Sequence, residues 1–201
     1  KEFNPFLKNT WLLMGKAQFQ QGNFSEAAAT FSYITRFYAP EPAVVAEARV
    51  WLARCYAELD WFYDAEDVLR RMERDTFPQR LNSERDLTMA DWHIRQEQLE
   101  DALPYLQRAA RKMKGKVRKA RLYYLLGQTY MALDRKDDAY KALGKCIAQN
   151  PSYEMTFHAR ILQTEAISNA ANAKSMVKRL RRMAKSDINK DYLDQVYYAI
   201  G

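Results

Sequence analysis

Glycine and proline are both scarce in this sequence, with six of each among 201 residues. Tight turns between strands draw heavily on these two residues, so a sheet-rich fold with many turns is excluded. Hydrophobic residues make up 48% of the chain and charged residues 28%, which is enough for a continuous core beneath a solvated exterior. The composition therefore predicts an all-α fold.

Cysteine and long apolar runs are scarce as well. The two cysteines, Cys55 and Cys146, cannot form a disulfide framework, and we expect both to be reduced core residues on different repeats. No run of about 18 uncharged apolar residues and no secretory signal pattern occurs, so no membrane-spanning segment is predicted. The sequence starts at Lys1 and stops at Gly201 within an unfinished repeat, so we expect it to be a fragment of a longer protein.

Motifs that carry catalysis or bind metals are missing. The sequence has no glycine-rich phosphate loop, no nucleophile elbow and no histidine-helix zinc motif. His93 and His158 are the only histidines, and neither has a cysteine or carboxylate at a ligand spacing. We therefore predict no enzyme activity, no metal site and no cofactor. His93 is predicted to be a packed or hydrogen-bonded core residue.

A repeat of about 37 residues organises the chain. Residues 11–28 and 123–140 align without a gap: in each, an aromatic residue is followed by an apolar residue, a glycine and, 12 residues later, an alanine. The small residue of the first helix recurs at intervals of 37 or 38 residues, at Gly15, Ala53, Ala90, Gly127, Thr164 and Gly201. Small residues at these positions allow the paired helices to approach closely.

The second helix of each repeat carries a matching pattern. Its small or unbranched residue falls at Ala27, Ala65, Ala102, Ala139 and Met176, and a large apolar residue follows at Phe31, Leu69, Leu106, Leu143 and Leu180. The predicted helices are 6–20, 24–37, 43–58, 62–74, 81–97, 99–114, 117–132, 136–149, 152–169, 173–185 and 189–201. We expect first helices about one turn longer than usual, and a slight bend at Pro104 without a break.

The repeat resembles the tetratricopeptide repeat. The residues on that motif are Trp11, Gly15, Ala27, Tyr56, Ala65, Tyr123, Gly127, Tyr130, Ala139 and Pro151. The resemblance implies a right-handed α-solenoid of about five and a half helix-turn-helix repeats, which acts as a protein-protein interaction scaffold. We expect one domain over 1–201, with repeats at approximately 6–41, 42–79, 80–115, 116–151, 152–187 and a truncated sixth at 188–201.

In such a fold the first helices line a concave groove, and the register assigns its residues. The predicted groove residues are Leu12, Lys16, Phe19, Val50, Arg54, Leu87, Asp91, Ile94, Tyr124, Gln128, Met131, His158 and Ile161. An apolar seam with charged edges suits a helix or extended segment of another protein. The alternative is that repeats pack there on one another or on further repeats. Apart from Lys16, the lysines and asparagines with which relatives capture a C-terminal carboxylate are missing, so binding of that type is disfavoured.

Charge is distributed unevenly, with a net −4 over residues 1–100 and +11 over residues 101–201. A predicted basic patch consists of Arg108, Arg111, Lys112, Lys114, Lys116, Arg118, Lys119 and Arg121. A second cluster comprises Lys174, Lys178, Arg179, Arg181, Arg182 and Lys185. An acidic protein or an anionic membrane surface would bind such patches in a salt-sensitive way. Nucleic acid is not favoured because few aromatic residues interleave the charges, and a solvated outer face is the alternative.

Three segments resemble a narrower group. Residues 4–19 (N-P-F-L-K-N-T-W-L-L-M-G-K-A-Q-F), residues 27–34 (A-A-A-T-F-S-Y-I) and residues 185–201 are similar to the PorW/SprE-like repeat lipoproteins of Bacteroidota gliding motility and type IX secretion. This resemblance implies a periplasmic, outer-membrane-anchored scaffold whose partners are secretion-complex subunits. A generic adaptor, cytoplasmic in location, and an accessory domain of an enzyme are the alternatives.

Overall fold

The computed structural model describes residues 6–75, 77–167, 170–185, 190 and 192–200, and every regular element within them is helical. The α-helices are α1 Leu7–Gln20, α2 Phe24–Phe37, α3 Pro42–Glu58, α4 Phe62–Arg74, α5 Asn82–Arg95, α6 Leu99–Lys112, α7 Lys116–Ala132, α8 Lys136–Ala148, α9 Tyr153–Glu165, α10 Ala170–Ala184 and α11 Leu193–Tyr198. A 3₁₀ turn, Gln79–Leu81, precedes α5. The predicted all-α fold of consecutive helix pairs is confirmed.

First helices are longer than second helices in only two repeats. The helices α3 and α7 have 17 residues each, whereas α1 and α5 have 14 and α9 has 13. The prediction of uniformly longer first helices was therefore wrong for α1, α5 and α9. The segment before α5 is a 3₁₀ turn after Pro78, and α9 begins only after Ser152, whose side chain accepts a hydrogen bond from the Met155 amide.

Pro104 lies within α6, and the helix continues past it to Lys112, as predicted. The predicted end of helix 152–169 and both predicted ends of helix 189–201 fall on residues outside the described part of the chain.

The turn between the two helices of a repeat is the same in the first four repeats. One residue in each turn has a positive φ: Gly22 at 82°, Asp60 at 58°, Glu97 at 60° and Asp134 at 53°. The next amide donates to the carbonyl five residues earlier, at 3.0, 2.9, 2.9 and 2.8 Å in Asn23→Gln18, Trp61→Tyr56, Gln98→His93 and Arg135→Tyr130. This is the Schellman end of a helix. Only the first turn uses glycine, so the packing of the helices holds the other three.

Small and large residues meet as the register predicts. The alanines Ala27, Ala65, Ala102 and Ala139 are fully buried, and so are the large residues Phe31, Leu69, Leu106, Leu143 and Leu180. A Cβ placed on Gly15 would lie 2.7 Å from the Phe31 ring, and one on Gly127 would lie 2.6 Å from Leu143. The glycines therefore make room for a side chain of the second helix.

The chain divides into two compact units, residues 1–109 (unit 1) and residues 110–201 (unit 2). In unit 1, α2 packs between α1 and α3, and α3 also contacts α4 and the first helices α1 and α5. One apolar cluster runs through these helices and includes Phe31, Leu52, Leu69 and Met72. The prediction of one domain over 1–201 stays a prediction.

Unit 2 has two apolar clusters among its described residues. Ala120, Leu143, Cys146 and Ala159 form one of them, where α8 packs against both α7 and α9. The other joins α9, α10 and α11 and includes Phe157, Leu180 and Val196. These clusters bury one side of α7, α9 and α10 and leave the other side of each helix exposed.

Both cysteines are free and buried, as predicted. Burial raises the pKa of the Cys55 thiol to about 12 and that of the Cys146 thiol to about 11. At pH 8 the thiolate, which is the reactive form, is at least about 100-fold rarer than at an exposed cysteine. We expect a disulfide reagent to modify neither thiol in the native protein over minutes and both at once in denaturant. If an absorbance assay showed rapid modification of the native protein, it would contradict the burial of the two thiols.

Candidate functional site

Two of the predicted groove residues belong to the core. Leu12 on α1 is 7% exposed and Val50 on α3 is 2% exposed, and both lie in the apolar cluster of unit 1. The prediction that these side chains line an open groove differs from the structure. Neighbouring first helices pack closely enough to cover them, since α3 contacts both α1 and α5. A partner therefore cannot touch either residue without separating the helices.

The predicted basic margin of unit 1 is paired with carboxylates of the next first helix. Lys16 Nζ lies 2.7 Å from Glu47 Oε1, and Arg54 donates to Glu84 Oε2 at 2.7 Å and to Thr88 Oγ1 at 3.0 Å. Arg80 also reaches Glu47, at 3.2 Å. Each bond joins one repeat to the next, so the charges of Lys16 and Arg54 are already compensated within unit 1.

Asp91 belongs to the same network. Its carboxylate accepts a hydrogen bond from Arg95 at 3.1 Å, and Arg95 also donates to Glu58 on α3 at 2.6 Å. Three other predicted groove residues of unit 1 are half-buried: Phe19, Leu87 and Ile94. Arg95 thus ties α5 to α3, and Asp91 is paired with Arg95 rather than forming a free acidic margin.

Trp51 also lies on this face, although it was not among the predicted groove residues. Its ring contacts two cations and an aromatic ring. The Arg54 guanidinium lies 4.9 Å from the Trp51 ring centroid and Lys16 Nζ lies 5.7 Å from it, and the Phe19 ring packs edge-on at 5.3 Å. Glu47 and Glu84 were missed as well. The signal was present, because Lys16 and Arg54 are followed 31 and 30 residues later by a residue of opposite charge.

In unit 2 the predicted groove residues lie on α7 and α9. Tyr124, Met131, His158 and Ile161 are half-buried, and Gln128 is exposed. The pKa of the Tyr124 hydroxyl is raised by burial, with smaller contributions from Cys146 and from the Glu165 carboxylate on α9. The His158 ring packs edge-on against Phe157 at 5.6 Å and Tyr192 at 6.3 Å.

The polar side chains on this face of unit 2 differ from those of unit 1. Neither Gln128 nor Glu165 forms a hydrogen bond or ion pair with any residue in the described ranges. They stand beside half-buried apolar and aromatic residues, a combination that can hold a peptide by burial and by directed hydrogen bonds. We name Tyr124, Gln128, Met131, His158, Ile161 and Glu165 the unit 2 face.

One residue of the predicted basic patch has a different role. Arg108 lies in unit 1, where its Nε is 3.4 Å from Oδ1 of Asp86 and its guanidinium is 4.5 Å from the Tyr105 ring centroid. Asp86 is 1% exposed, so Arg108 supplies the counter-charge for a buried carboxylate. The charge of Arg108 is therefore already paired within unit 1.

The rest of the patch lies in unit 2 and is mostly exposed. Arg111, Lys112, Lys114, Lys116, Arg118 and Arg121 are exposed and Lys119 is half-buried. Of these, the four lysines and Arg121 pair with no carboxylate of the described residues. Lys116 and Lys119 give α7 a positive first turn, where an acidic surface finds a local attraction.

His93 is packed and hydrogen-bonded, as predicted. Its Nδ1 lies 2.9 Å from Gln98 Oε1, and its ring stacks on Tyr105 with centroids 5.5 Å apart. Across the residues that the structure describes, no three His, Cys, Asp or Glu side chains lie together as a metal site would require. None of the described helices is long and apolar enough to cross a membrane.

Comparison with known proteins identifies the repeat. One tetratricopeptide-repeat family model matches residues 12–79, and a second tetratricopeptide-repeat model matches residues 93–155, so together they match well over half of the chain. Comparison with curated protein sequences gives no significant match.

Similar solved structures include two crystal structures of MamA and that of TTC0263, a thermophilic tetratricopeptide-repeat protein of Thermus thermophilus. One MamA structure superimposes with a TM-score of 0.66 at 18% identity, covering 94% of this chain and 96% of that one. The other has a TM-score of 0.59 at 19% identity and covers 92% and 90%. TTC0263 gives 0.53 at 18% identity and covers 96% and 98%. At these identities the likeness is one of fold.

Tetratricopeptide-repeat proteins are generally non-enzymatic scaffolds that bind other proteins. The helix pairs, their small and large contact residues, the two family models and the α-solenoid fold of the similar structures agree. The chain belongs to the tetratricopeptide-repeat family.

Proposed function

We propose that this scaffold holds a segment of a partner protein along the unit 2 face. The observation that carries the proposal is the contrast between the two units. In unit 1, Lys16 and Arg54 are bound to carboxylates of the next helix, whereas Gln128 and Glu165 in unit 2 pair with no described residue. A partner's amides or cations gain new hydrogen bonds there without breaking existing ones.

Apolar contact accompanies these polar groups. Tyr124 and Met131 on α7 and Ile161 on α9 are half-buried, so a partner side chain laid across them loses contact with water. Aromatic and methionine side chains are enriched at the centres of protein interfaces, where water is excluded. The segment that fits is a helix or extended strand with apolar residues flanked by amide or basic side chains.

We further propose that the full protein is an outer-membrane-anchored periplasmic lipoprotein of type IX secretion and gliding, with secretion-complex subunits as partners. The support is the sequence resemblance of residues 4–19, 27–34 and 185–201. The competing proposal is an adaptor, cytoplasmic in location, whose basic patch binds an acidic protein or an anionic membrane. Its support is the exposed lysines Lys112, Lys114 and Lys116, which no described carboxylate neutralises.

A charge-matched pair of double variants tests the unit 2 face. Gln128→Glu with Met131→Glu places two carboxylates on the α7 part of the unit 2 face, and Lys141→Gln with Lys145→Gln removes the same net charge from the exposed side of α8. The chain is used to recover secretion-complex subunits from detergent extracts of the source cell envelopes. We expect the first variant to reduce recovery about tenfold or more, because it buries charge at the interface, and the second to change it less than about twofold.

Three results would count against these proposals. Equal loss with both variants would mean that general charge, rather than the unit 2 face, binds the partner. Recovery of unrelated cytoplasmic proteins in place of secretion-complex subunits would overturn the secretion role. Retention on anionic vesicles that disappears in high salt and is insensitive to the α7 variant would favour the adaptor.

A further inference from the structure

A second concave site lies between α9 and α10, apart from the unit 2 face. It is a cleft of about 300 Å³, at the small end of the range for ligand pockets. Four of its lining residues follow one face of α9 and three follow one face of α10: Tyr153, Thr156, Phe157 and Arg160, then Arg179, Arg182 and Met183. Both sets have the spacing that brings side chains to one side of a helix.

Three arginines line this one cleft. Arg160 is half-buried, and Arg179 and Arg182 are exposed. Within the described ranges, no carboxylate forms an ion pair with any of the three, and no aromatic ring of those ranges stacks on them. In unit 1 the arginines Arg49, Arg54 and Arg95 all bind carboxylates, whereas the cleft brings three arginines without such partners to one small space.

The walls add two further kinds of contact. Thr156 and Tyr153 carry hydroxyl groups, which both donate and accept hydrogen bonds. Phe157 and Met183 supply apolar surface, and both belong to the cluster that joins α9, α10 and α11. That cluster holds α9 and α10 against each other. The two helices that carry the arginines are therefore fixed by buried apolar contacts.

We propose that this cleft binds a phosphate monoester on a soluble carrier. Guanidinium groups match phosphate oxygens through paired hydrogen bonds, and the dianion offers about two charges and three acceptor oxygens to cations that share one small space. A single carboxylate offers one charge and two acceptor oxygens, and to match the phosphate several carboxylates of a peptide would have to enter the same 300 Å³. The apolar walls hold the group that carries the phosphate.

A neighbouring basic concavity makes the site more attractive to anions. It measures about 370 Å³ and is lined by Lys174, Val177, Lys178, Arg181, Arg182 and Lys185 of α10 and its C-terminal end, so it shares Arg182 with the cleft. No hydroxyl or aromatic side chain is among these lining residues. This surface raises the local concentration of anions by its field, whereas the cleft selects among them by geometry.

The test uses phenyl phosphate as the probe, titrated by calorimetry into the 201-residue chain. Arg179→Gln with Arg182→Gln is compared with Lys174→Gln with Lys178→Gln, which removes the same charge from the same helix but outside the cleft. We expect saturable binding that the arginine variant weakens about tenfold or more and the lysine variant less than about twofold. Arg179→Lys with Arg182→Lys keeps the charge but removes the paired N–H donors of the guanidinium groups. We expect this variant to bind phenyl phosphate with an affinity between those of the wild-type protein and the glutamine variant.

Several outcomes would overturn the proposal. These are no saturation up to about 10 mM phenyl phosphate, equal weakening by the arginine and lysine variants, and benzoate binding as tightly as phenyl phosphate. Binding of phosphatidic acid vesicles without binding of phenyl phosphate would assign the surface to a membrane instead. The Gln128→Glu, Met131→Glu variant is expected to keep phenyl phosphate binding, so this site and the proposed partner face can fail independently.

Discussion

Replacing Phe31 with alanine is expected to lower the free energy of unfolding of unit 1 by about 3–5 kcal/mol. The Phe31 side chain is fully buried, stacks on Trp51 with centroids 6.1 Å apart and fills the space that Gly15 leaves open. Truncation leaves a cavity between α1, α2 and α3 that no neighbouring backbone can close. All four tryptophans, Trp11, Trp51, Trp61 and Trp92, lie in unit 1, so their fluorescence during urea unfolding reports this unit.

Phe37→Ala is the matched control for this experiment. Phe37 lies on the same helix, α2, and is 54% exposed, so the same change in composition removes far less buried surface. We expect it to cost less than about 1 kcal/mol. Similar losses in the two variants would show that Phe31 does not anchor the first repeat.

Replacing Gly127 with alanine is expected to destabilise unit 2 by up to about 2 kcal/mol, as the balance of two opposing effects. Alanine favours a helix over glycine by about 1 kcal/mol, but the added methyl lies 2.6 Å from Leu143, and overpacking typically costs about 1–3 kcal/mol. The contact involves the branching carbon of Leu143, so rotation of its outer methyl groups alone does not relieve it. Hydrogen exchange of the α7 and α8 amides measures the change in opening free energy.

Two further variants isolate the contact. Gly144→Ala, on α8, meets Gln163 Nε2 at 3.4 Å, an ordinary approach, so it is expected to be neutral or to stabilise. In a Leu143→Ala background the Gly127→Ala change is expected to lose its cost, with a coupling energy of about 1 kcal/mol or more. An additive cycle would contradict the pairing of Gly127 with Leu143.

Much of the fold could be predicted because the repeat constrains it many times over. Positions such as Gly15 and Gly127 recur with their large partners Phe31 and Leu143, and one register then places every helix pair. The turns were harder. Asp60, Glu97 and Asp134 adopt a positive φ that is uncommon outside glycine, although aspartate tolerates it better than glutamate, and tertiary packing holds the two helices that each turn joins. The lengths of first helices were also overestimated: α9, predicted as 152–169, already ends at Glu165, and α5, predicted as 81–97, follows a 3₁₀ turn and ends at Arg95.

The site was only partly predictable, and the reason lies in distances between helices. The register placed Leu12 and Val50 on the groove side, but it carries no information on how closely α1, α3 and α5 pack, and that closeness buries both. Charge was misread for the same reason. Lys16, Arg54 and Arg108 count as free cations in the sequence, and each meets a carboxylate more than 20 residues away. For the cleft between α9 and α10, the sequence showed the charge cluster on α10, but Arg160 on α9 was not part of that cluster.

Site-specific photo-crosslinking at position 128 tests the central claim most directly. A photoreactive amino acid replaces the exposed Gln128 on α7, and a second protein carries it at the exposed Lys141 on α8. If the partner segment lies along the unit 2 face, irradiation in native cell extracts yields a covalent complex with one defined protein from position 128 and none from position 141. The same complex from both positions, or from position 141 alone, would contradict the account.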